Sequence, residues 1–272
     1  MRARPLKELV LEEVALAHVF ERNGIDYCCN GDQTLEAACA TKGLNVDAML
    51  QEIEMTKAAR PYSFLHCDLW DLEFLIEYIV ENHHRYSKAT IPVLLSQLSK
   101  LRASHGHEFS YITPVAMLFE RVSHDIEQHM RKEEMILFPY IKTLASAAEL
   151  GGRRPLAPFL TVEGPVGTME KEHIETAQIF SKIRALLSDF IIPDHACTMH
   201  RAVITGMQAF IKDMHQHVHL ENNLLFPRAR DIERAFDQRL FAPANTSAGN
   251  TRTSYLSMRQ NDTASKGRIL GG

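Results

Sequence analysis

The sequence predicts an all-α protein: a small N-terminal helical domain followed by an antiparallel four-helix bundle. Three observations lead there. Apolar residues recur at three- and four-residue steps along most of the chain, with no convincing run of strand-like alternation. The phrase HMRKEEMILFP, from His129 to Pro139, returns as HVHLENNLLFP, from His217 to Pro227, in the same frame and 88 residues later. Each phrase ends a long helical segment that another such segment precedes, so the chain reads as two successive helical hairpins.

Taken in order, residues 6–22 read as one amphipathic helix ending before Asn23-Gly24, and GIDYCCNGDQT is a turn. Thr34 is placed to cap a helix through Lys42, and Asn45 or Asp47 to start another through Ala58. Arg60-Pro61 closes this first domain, residues 1–60. The bundle takes residues 61–230. Its first arm runs from about Asp68 to Arg102 with a kink expected at Pro92. The second starts at Thr113-Pro114, Thr capping and Pro in the first turn, and reaches Pro139 or just beyond. After the breaker-rich GGRRPLAPFLTVEGP, a third arm spans Pro165 to about Asp189 and a fourth Asp194 to about Pro227. Residues 231–272 are polar with weak periodicity and read as a disordered tail.

Composition narrows the function classes. With 45% hydrophobic and 24% charged residues the 272-residue chain is an ordinary globular one. A net charge of −4 argues against nucleic acid as a partner, and no apolar run nears the roughly 18 residues of a membrane span. Glu8, Glu12 and Glu13 interrupt what would be the apolar core of an export signal, which favours a cytoplasmic location. Five irregularly spaced cysteines make a poor disulfide framework, and adjacent Cys28-Cys29 lacks the two-residue gap of a zinc knuckle, so free thiols are expected.

The repeat points to metal. Residues four apart on a helix share one face. Val115, Leu118, Val122, Ile126 and Ile136 share the stripe of His129, while Phe210, Met214, Leu220 and Leu224 share that of His217, so both His–Glu pairs face a core. His215 and His219 fall instead with Gln208, Lys212 and Asn222 on a face that reads as solvated. A buried imidazole and carboxylate need partners. His173 lies on a stripe with Val166, Met169, Ala177 and Phe180, and spacing favours His84 over His83: His84 precedes His129 by 45 residues, and His173 precedes His217 by 44. In antiparallel hairpins those spacings bring four histidines to one level. A lone His on an apolar face is more often a core residue with one hydrogen bond, and a single His-x-x-x-Glu more often structural, but two in register, each with a matching His, reverse that weighting. Four His with Glu133 and Glu221 suit two first-row metal ions with bridging carboxylates, iron ahead of manganese or zinc.

These residues, with MEKEH at 169–173 and DYCCNGDQTL at 26–35, resemble the di-iron proteins that repair iron centres, in which a small paired-Cys domain precedes a hemerythrin-like bundle. The resemblance covers roughly residues 5–230. It implies an oxo-bridged centre of two iron ions (Fe–O–Fe), with His84, His129, His173 and His217 as terminal ligands and Glu133 and Glu221 as bridges. It also marks His105 as an additional ligand, although about 21 residues of straight helix set it roughly 31 Å from His84. Glu172 and Asp125 are candidate outer partners of the ligands, and Cys28 and Cys29 candidates for redox relay, iron transit or partner docking. The implied function is repair of iron–sulfur clusters or other iron centres after nitrosative or oxidative damage, by iron donation or by nitric oxide reduction; the first need not be catalytic. Implied partners are damaged or apo iron–sulfur proteins, nitric oxide or oxygen, and a reductant; apart from the resemblance, the paired-Cys turn could support an intermolecular disulfide on oxidation and so a homodimer. The alternative is a hemerythrin-like carrier or sensor of oxygen or nitric oxide. Oxygen carriers of that type use a further His one turn after the third ligand helix's own; here that position is Ala177, which favours repair.

Overall fold

The computed structural model describes residues 1–13, 15–59 and 67–241. Among them the chain is helical, with no strand beyond one isolated bridge between Pro5 and Thr34. Residues 1–236 form one compact unit.

The first departure from the sequence reading is at residues 6–22, which form two helices, α1 (Leu6–Glu12) and α2 (Leu16–Arg22). Glu13 causes the break: its backbone is extended and its side chain accepts a hydrogen bond from Ala15 N at 3.2 Å. A side-chain oxygen that meets a nearby backbone N–H competes with helix continuation. Thr34 caps α3 (Leu35–Lys42) by accepting from Ala37 N, and Gly43 ends it in the left-handed region. Asn45 opens α4 (Val46–Ala59), accepting from Asp47 N and Ala48 N. The expected closure at Arg60-Pro61 lies outside the described residues.

The four arms follow. The first is α5 (Leu72–Tyr78), a π-helical segment at Ile79–His84, and α6 (Arg85–His105). Pro92 sits inside α6 without ending it; the irregularity of this arm lies upstream, in the π-helical segment. The second arm, α7 (Ile112–Lys132), begins at Ile112, so Thr113 does not cap it. Pro114 occupies the first turn, where its missing N–H costs nothing. The arm passes through a π-helical segment at Glu133–Leu137 into α8 (Phe138–Glu149). The third arm is α9 (Glu163–Leu186). The fourth is α10 (Thr198–Leu220), a π-helical segment at Glu221–Leu225, and α11 (Phe226–Phe241). Pro139 and Pro227 therefore do not terminate their arms: each falls in the first turn of a restarted helix. Helix α11 also corrects the tail reading for residues 231–241, because Ala229, Glu233 and Phe236 are buried. Buried Glu233 fastens the preceding loop, accepting from Tyr140 Oη at 2.7 Å, Arg154 Nη2 at 2.8 Å and Val162 N at 2.8 Å. Residues 242–272 lie outside the described residues.

Two apolar clusters fill the unit. One joins Leu9, Phe20 and Tyr27 of the N-terminal segment to Leu98, Phe119, Phe180 and Phe210 of the bundle. The other gathers Leu75, Ile79, Phe138, Val166, Leu225 and Phe226. Each arm crosses from one cluster to the other, and His84, His129, His173 and His217 lie at those crossings. No described helix is long and apolar enough to cross a membrane.

Candidate metal centre

Three of the four arms carry a π-helical segment at the predicted ligands. His84 closes the first, Glu133 opens the second and Glu221 the third. Such a widened turn re-aims side chains that a regular helix would stack, and it is characteristic of functional positions. Helix α9, which carries His173, has no such segment.

The six predicted residues converge. Donor atoms of His84, Glu133, His217 and Glu221 lie within 4.8 Å of one another, as do those of His129, Glu133, His173 and Glu221. The two nests share both carboxylates, and the oxygens divide between them. Glu133 Oε2 is 3.5 Å from His84 Nε2, while its Oε1 is 3.2 Å from His129 Nε2. Glu221 Oε1 is 2.8 Å from His217 Nε2, while its Oε2 is 3.2 Å from His173 Nε2. A carboxylate offering one oxygen to each of two adjacent nests has the geometry of a bridge between two cations.

The outer ring nitrogens fix which atoms face inward. His84 Nδ1 donates to Glu134 at 2.7 Å and His129 Nδ1 to Glu172 at 2.8 Å. His173 Nδ1 donates to Asn222 Oδ1 at 2.8 Å, and His217 Nδ1 faces Met214 Sδ at 3.3 Å. An ionised carboxylate only accepts, so His84 and His129 carry a proton on Nδ1 and turn Nε2 inward, as in histidines that bind metals. Yet His129 Nε2 and His173 Nε2 are 3.0 Å apart, and His84 Nε2 and His217 Nε2 are 3.2 Å apart. His217 Nε2 also donates to Glu221 Oε1 at 2.8 Å. Four inward ring nitrogens this close to one another and to two carboxylates form a donor set that suits cations. The carboxylates agree: both oxygens of Glu133 and Oε2 of Glu221 are buried with no hydrogen bond. Orphaned buried carboxylate oxygens are among the costliest groups a fold can hold.

Without metal, protons answer part of this demand, unevenly. Burial is the largest influence on His84 and lowers it to about 3. Burial also opposes protonation of His129, but the Glu133, Glu172 and Glu221 carboxylates outweigh it and raise that imidazole to about 10. Burial, with Glu221 beside it, raises Glu133. Glu221 is likewise buried, but His217 and His173 hold it well below the usual carboxylate range. A set of imidazoles and carboxylates without thiolate suits a first-row ion, iron included, better than calcium or magnesium.

The remaining candidates separate. Glu172 is an outer partner, bonded to His129 and Lys132; the hydrogen bond from His129 leads in holding it near 2. Asp125 is not: it is exposed, 4.0 Å from Arg121 on its own helix. His105 does not reach the cluster either, because α6 runs unbroken to its end, and there it pairs with Glu108 at 3.0 Å. Cys28 and Cys29 sit with Asp26 in a second, smaller group, and both are free thiols. The solvated reading of His219 is overturned: it is buried, edge-on to Tyr27 at 5.4 Å, because the N-terminal segment covers that face. Periodicity within one helix cannot register a cover from distant sequence.

Sequence reasoning missed Glu134 and Asn222. A signal existed, since both directly follow the repeated Glu and so hold the same place in the two phrases.

Comparison with known proteins adds two family matches. Residues 75–229 match the hemerythrin HHE cation binding domain, and residues 2–57 match ScdA_N, a domain of unknown function (DUF542). Among curated relatives, the proteins named iron-sulfur cluster repair protein YtfE from Enterobacter sp. (strain 638) and Escherichia coli O81 (strain ED1a) are each 32% identical over 228 residues, covering 84% of this chain and 97% of theirs. That of Escherichia fergusonii matches to the same extent.

Proposed function

This chain belongs to the family of iron–sulfur cluster repair proteins with a hemerythrin HHE domain, and on that premise we propose that it holds two iron ions and serves the repair of iron centres damaged by nitrosative or oxidative stress. His84, His129, His173 and His217 are the terminal ligands, and Glu133 and Glu221 the bridging carboxylates. The observation that carries this reading is the division of both carboxylates' oxygens between the two nests. When bound, iron supplies exchangeable metal and one-electron chemistry toward nitric oxide, and either serves repair.

The chain's own residues set the terms. Glu134, Glu172 and Asn222 hold three of the imidazoles in the tautomer that presents Nε2 inward, which fixes ring orientation and raises ligand basicity. Phe138 stacks on His84 at 5.6 Å and Phe226 on His173 at 6.2 Å, covering one face of each ring. Ala177 supplies no further imidazole, which would leave a bound iron with open coordination and favours repair over reversible gas carriage. Damaged or apo iron–sulfur proteins are the corresponding targets.

Elemental analysis of protein purified without added metal tests the reading, beside a Glu133→Gln/Glu221→Gln double variant. About two irons per chain, lost in the variant, are expected. No iron in the wild type, even after anaerobic reconstitution, would sink the proposal. With iron established, transfer to an apo iron–sulfur protein and formation of nitrous oxide from nitric oxide separate the two routes.

A further inference from the structure

We propose that Asn222 is a positioning residue coupling the oxidation state of the Cys28–Cys29 pair to His173, so that a disulfide between the two cysteines loosens the nest of His129 and His173. The inference rests on the metal reading above.

The coupling is a continuous run of hydrogen bonds. His173 Nδ1 donates to Asn222 Oδ1 at 2.8 Å, and Asn222 Nδ2 donates to the Cys28 carbonyl at 3.3 Å. Asn223 Nδ2 reaches the same carbonyl at 3.2 Å and His219 Nδ1 at 3.0 Å. The other end of that peptide unit is also fixed, since Cys29 N donates to Asp26 Oδ1 at 2.9 Å. One peptide, between the two cysteines, is thus held at its N–H by Asp26 and at its C=O by Asn222 and Asn223.

That peptide is part of the ring which a disulfide between adjacent cysteines closes. The sulfurs are 4.0 Å apart, and bonding draws them to about 2.0 Å. Sequence neighbours close the smallest ring a protein disulfide can form, and the ring does not close without rotating the peptide inside it. Rotation takes the Cys28 carbonyl away from Asn222. Freed of that anchor, the amide no longer holds its oxygen against His173 Nδ1. The fold leaves the pair reachable: Cys28 is buried, but Cys29 is partly exposed, and both line a cavity of about 530 Å³ between the paired-Cys turn and helices α9 and α10.

The oxidation balances with a small disulfide or an azo compound as oxidant. Two thiols lose two protons and two electrons, the Cys28 Sγ–Cys29 Sγ bond forms, and the oxidant leaves as two thiols or as the hydrazide. A dithiol reductant reverses it.

The test uses full-length, iron-loaded protein treated with the azo oxidant diamide, with the disulfide assigned by mass spectrometry. Iron release to a chelator is expected to quicken about tenfold on oxidation, the lower end of the effect of losing a ligand's outer partner. Asn222→Asp keeps an acceptor for His173 but loses the donor to Cys28, so its release rate should not respond to the oxidant. Cys28→Ser/Cys29→Ser should be equally unresponsive. A second readout needs no metal: in metal-free protein, the Asn222 side-chain amide protons should exchange with solvent faster once the disulfide has formed. Absence of iron in the wild type would defeat the metal reading while leaving amide exchange to decide the coupling. Unchanged amide exchange, an unchanged release rate with the disulfide in place, failure of the disulfide to form, or an Asn222→Asp variant that still responds would each overturn it.

Discussion

The two halves of the bundle carry the same inner residues and different outer ones. His84 with the first phrase and His173 with the second give each half a His, then His-x-x-x-Glu. The residue after each phrase's Glu does the same work in both: Glu134 receives His84 Nδ1, and Asn222 receives His173 Nδ1. The residue before each half's first His differs in kind. Glu172 receives His129 Nδ1, whereas His83 stacks flat on His217 at 5.8 Å and bonds Asp213 at 3.0 Å. The repeat keeps the residues that line the two nests and varies those around them. Glu134 backs His84 with a charged acceptor paired to Lys88, and Asn222 backs His173 with a neutral amide tied to the paired-Cys turn. Each nest draws one His from each half, so that of His84 and His217 is backed by Glu134 and Met214, and that of His129 and His173 by Glu172 and Asn222; nests equal in ligands are unequal in field and should differ in metal affinity.

The largest test separates what the halves share from what they own. Glu133→Gln alone should take metal content from about two per chain to near none, because that carboxylate serves both nests. His84→Ala and His173→Ala should each spare about one metal, read by elemental analysis with metal in excess. If either His variant empties the site, the nests act as one unit and the comparison fails.

The next effect addresses the diverged shell. Glu134→Ala and Asn222→Ala should each weaken metal binding by about 10- to 100-fold, and Glu134→Ala more, since a hydrogen bond to a charged acceptor is roughly twice as strong as one between neutral groups. Chelator competition on the two variants measures this. Equal losses would show that the charge at Glu134 is cancelled within the ion pair to Lys88.

The inner residues were legible because helical phase, the duplicated phrase and equal hairpin arms are local regularities that survive without coordinates. The same logic failed at Glu13, where one side-chain contact split a helix, and near Pro139 and Pro227, about where the arms were expected to end but where helices restart after the π-helical segments. It failed at His219 because Tyr27 covers it from nearly two hundred residues away. Asp125 and Glu172 are both acidic neighbours of ligands in sequence; the packing of α7 against α9 puts Glu172, and not Asp125, beside His129.

A pH test reaches the cover over the second half. Glu21 on α2 faces Tyr27, Arg184, Lys212 and His215, and burial, its largest influence, raises it to about 7 against an ordinary 4.5. The folded chain thus holds a proton there that the unfolded chain releases earlier. The stability this contributes is full below pH 4.5 and is lost as pH rises through 7. Between pH 4.5 and 8, wild type should lose on the order of 2–3 kcal/mol relative to Glu21→Gln, measured by urea unfolding of metal-free protein. Parallel curves would mean that solvent reaches Glu21 and that the cover is loose.

The smallest effect concerns Lys88, which bonds both oxygens of Glu134 at 2.6 and 2.8 Å from a half-exposed position. A surface ion pair of this kind contributes about 1 kcal/mol or less and fades with salt. Lys88→Met should therefore weaken metal binding by less than about tenfold, and the deficit should shrink at high ionic strength. The nest of His129 and His173 offers the control, because its outer partners are Glu172, paired with Lys132, and Asn222, neither of them bonded to Lys88: binding there should not respond to Lys88→Met at any salt concentration. A deficit larger than tenfold that persists in salt would mean that Lys88 sets the direction in which Glu134 holds His84, making the lysine a geometric part of the first nest.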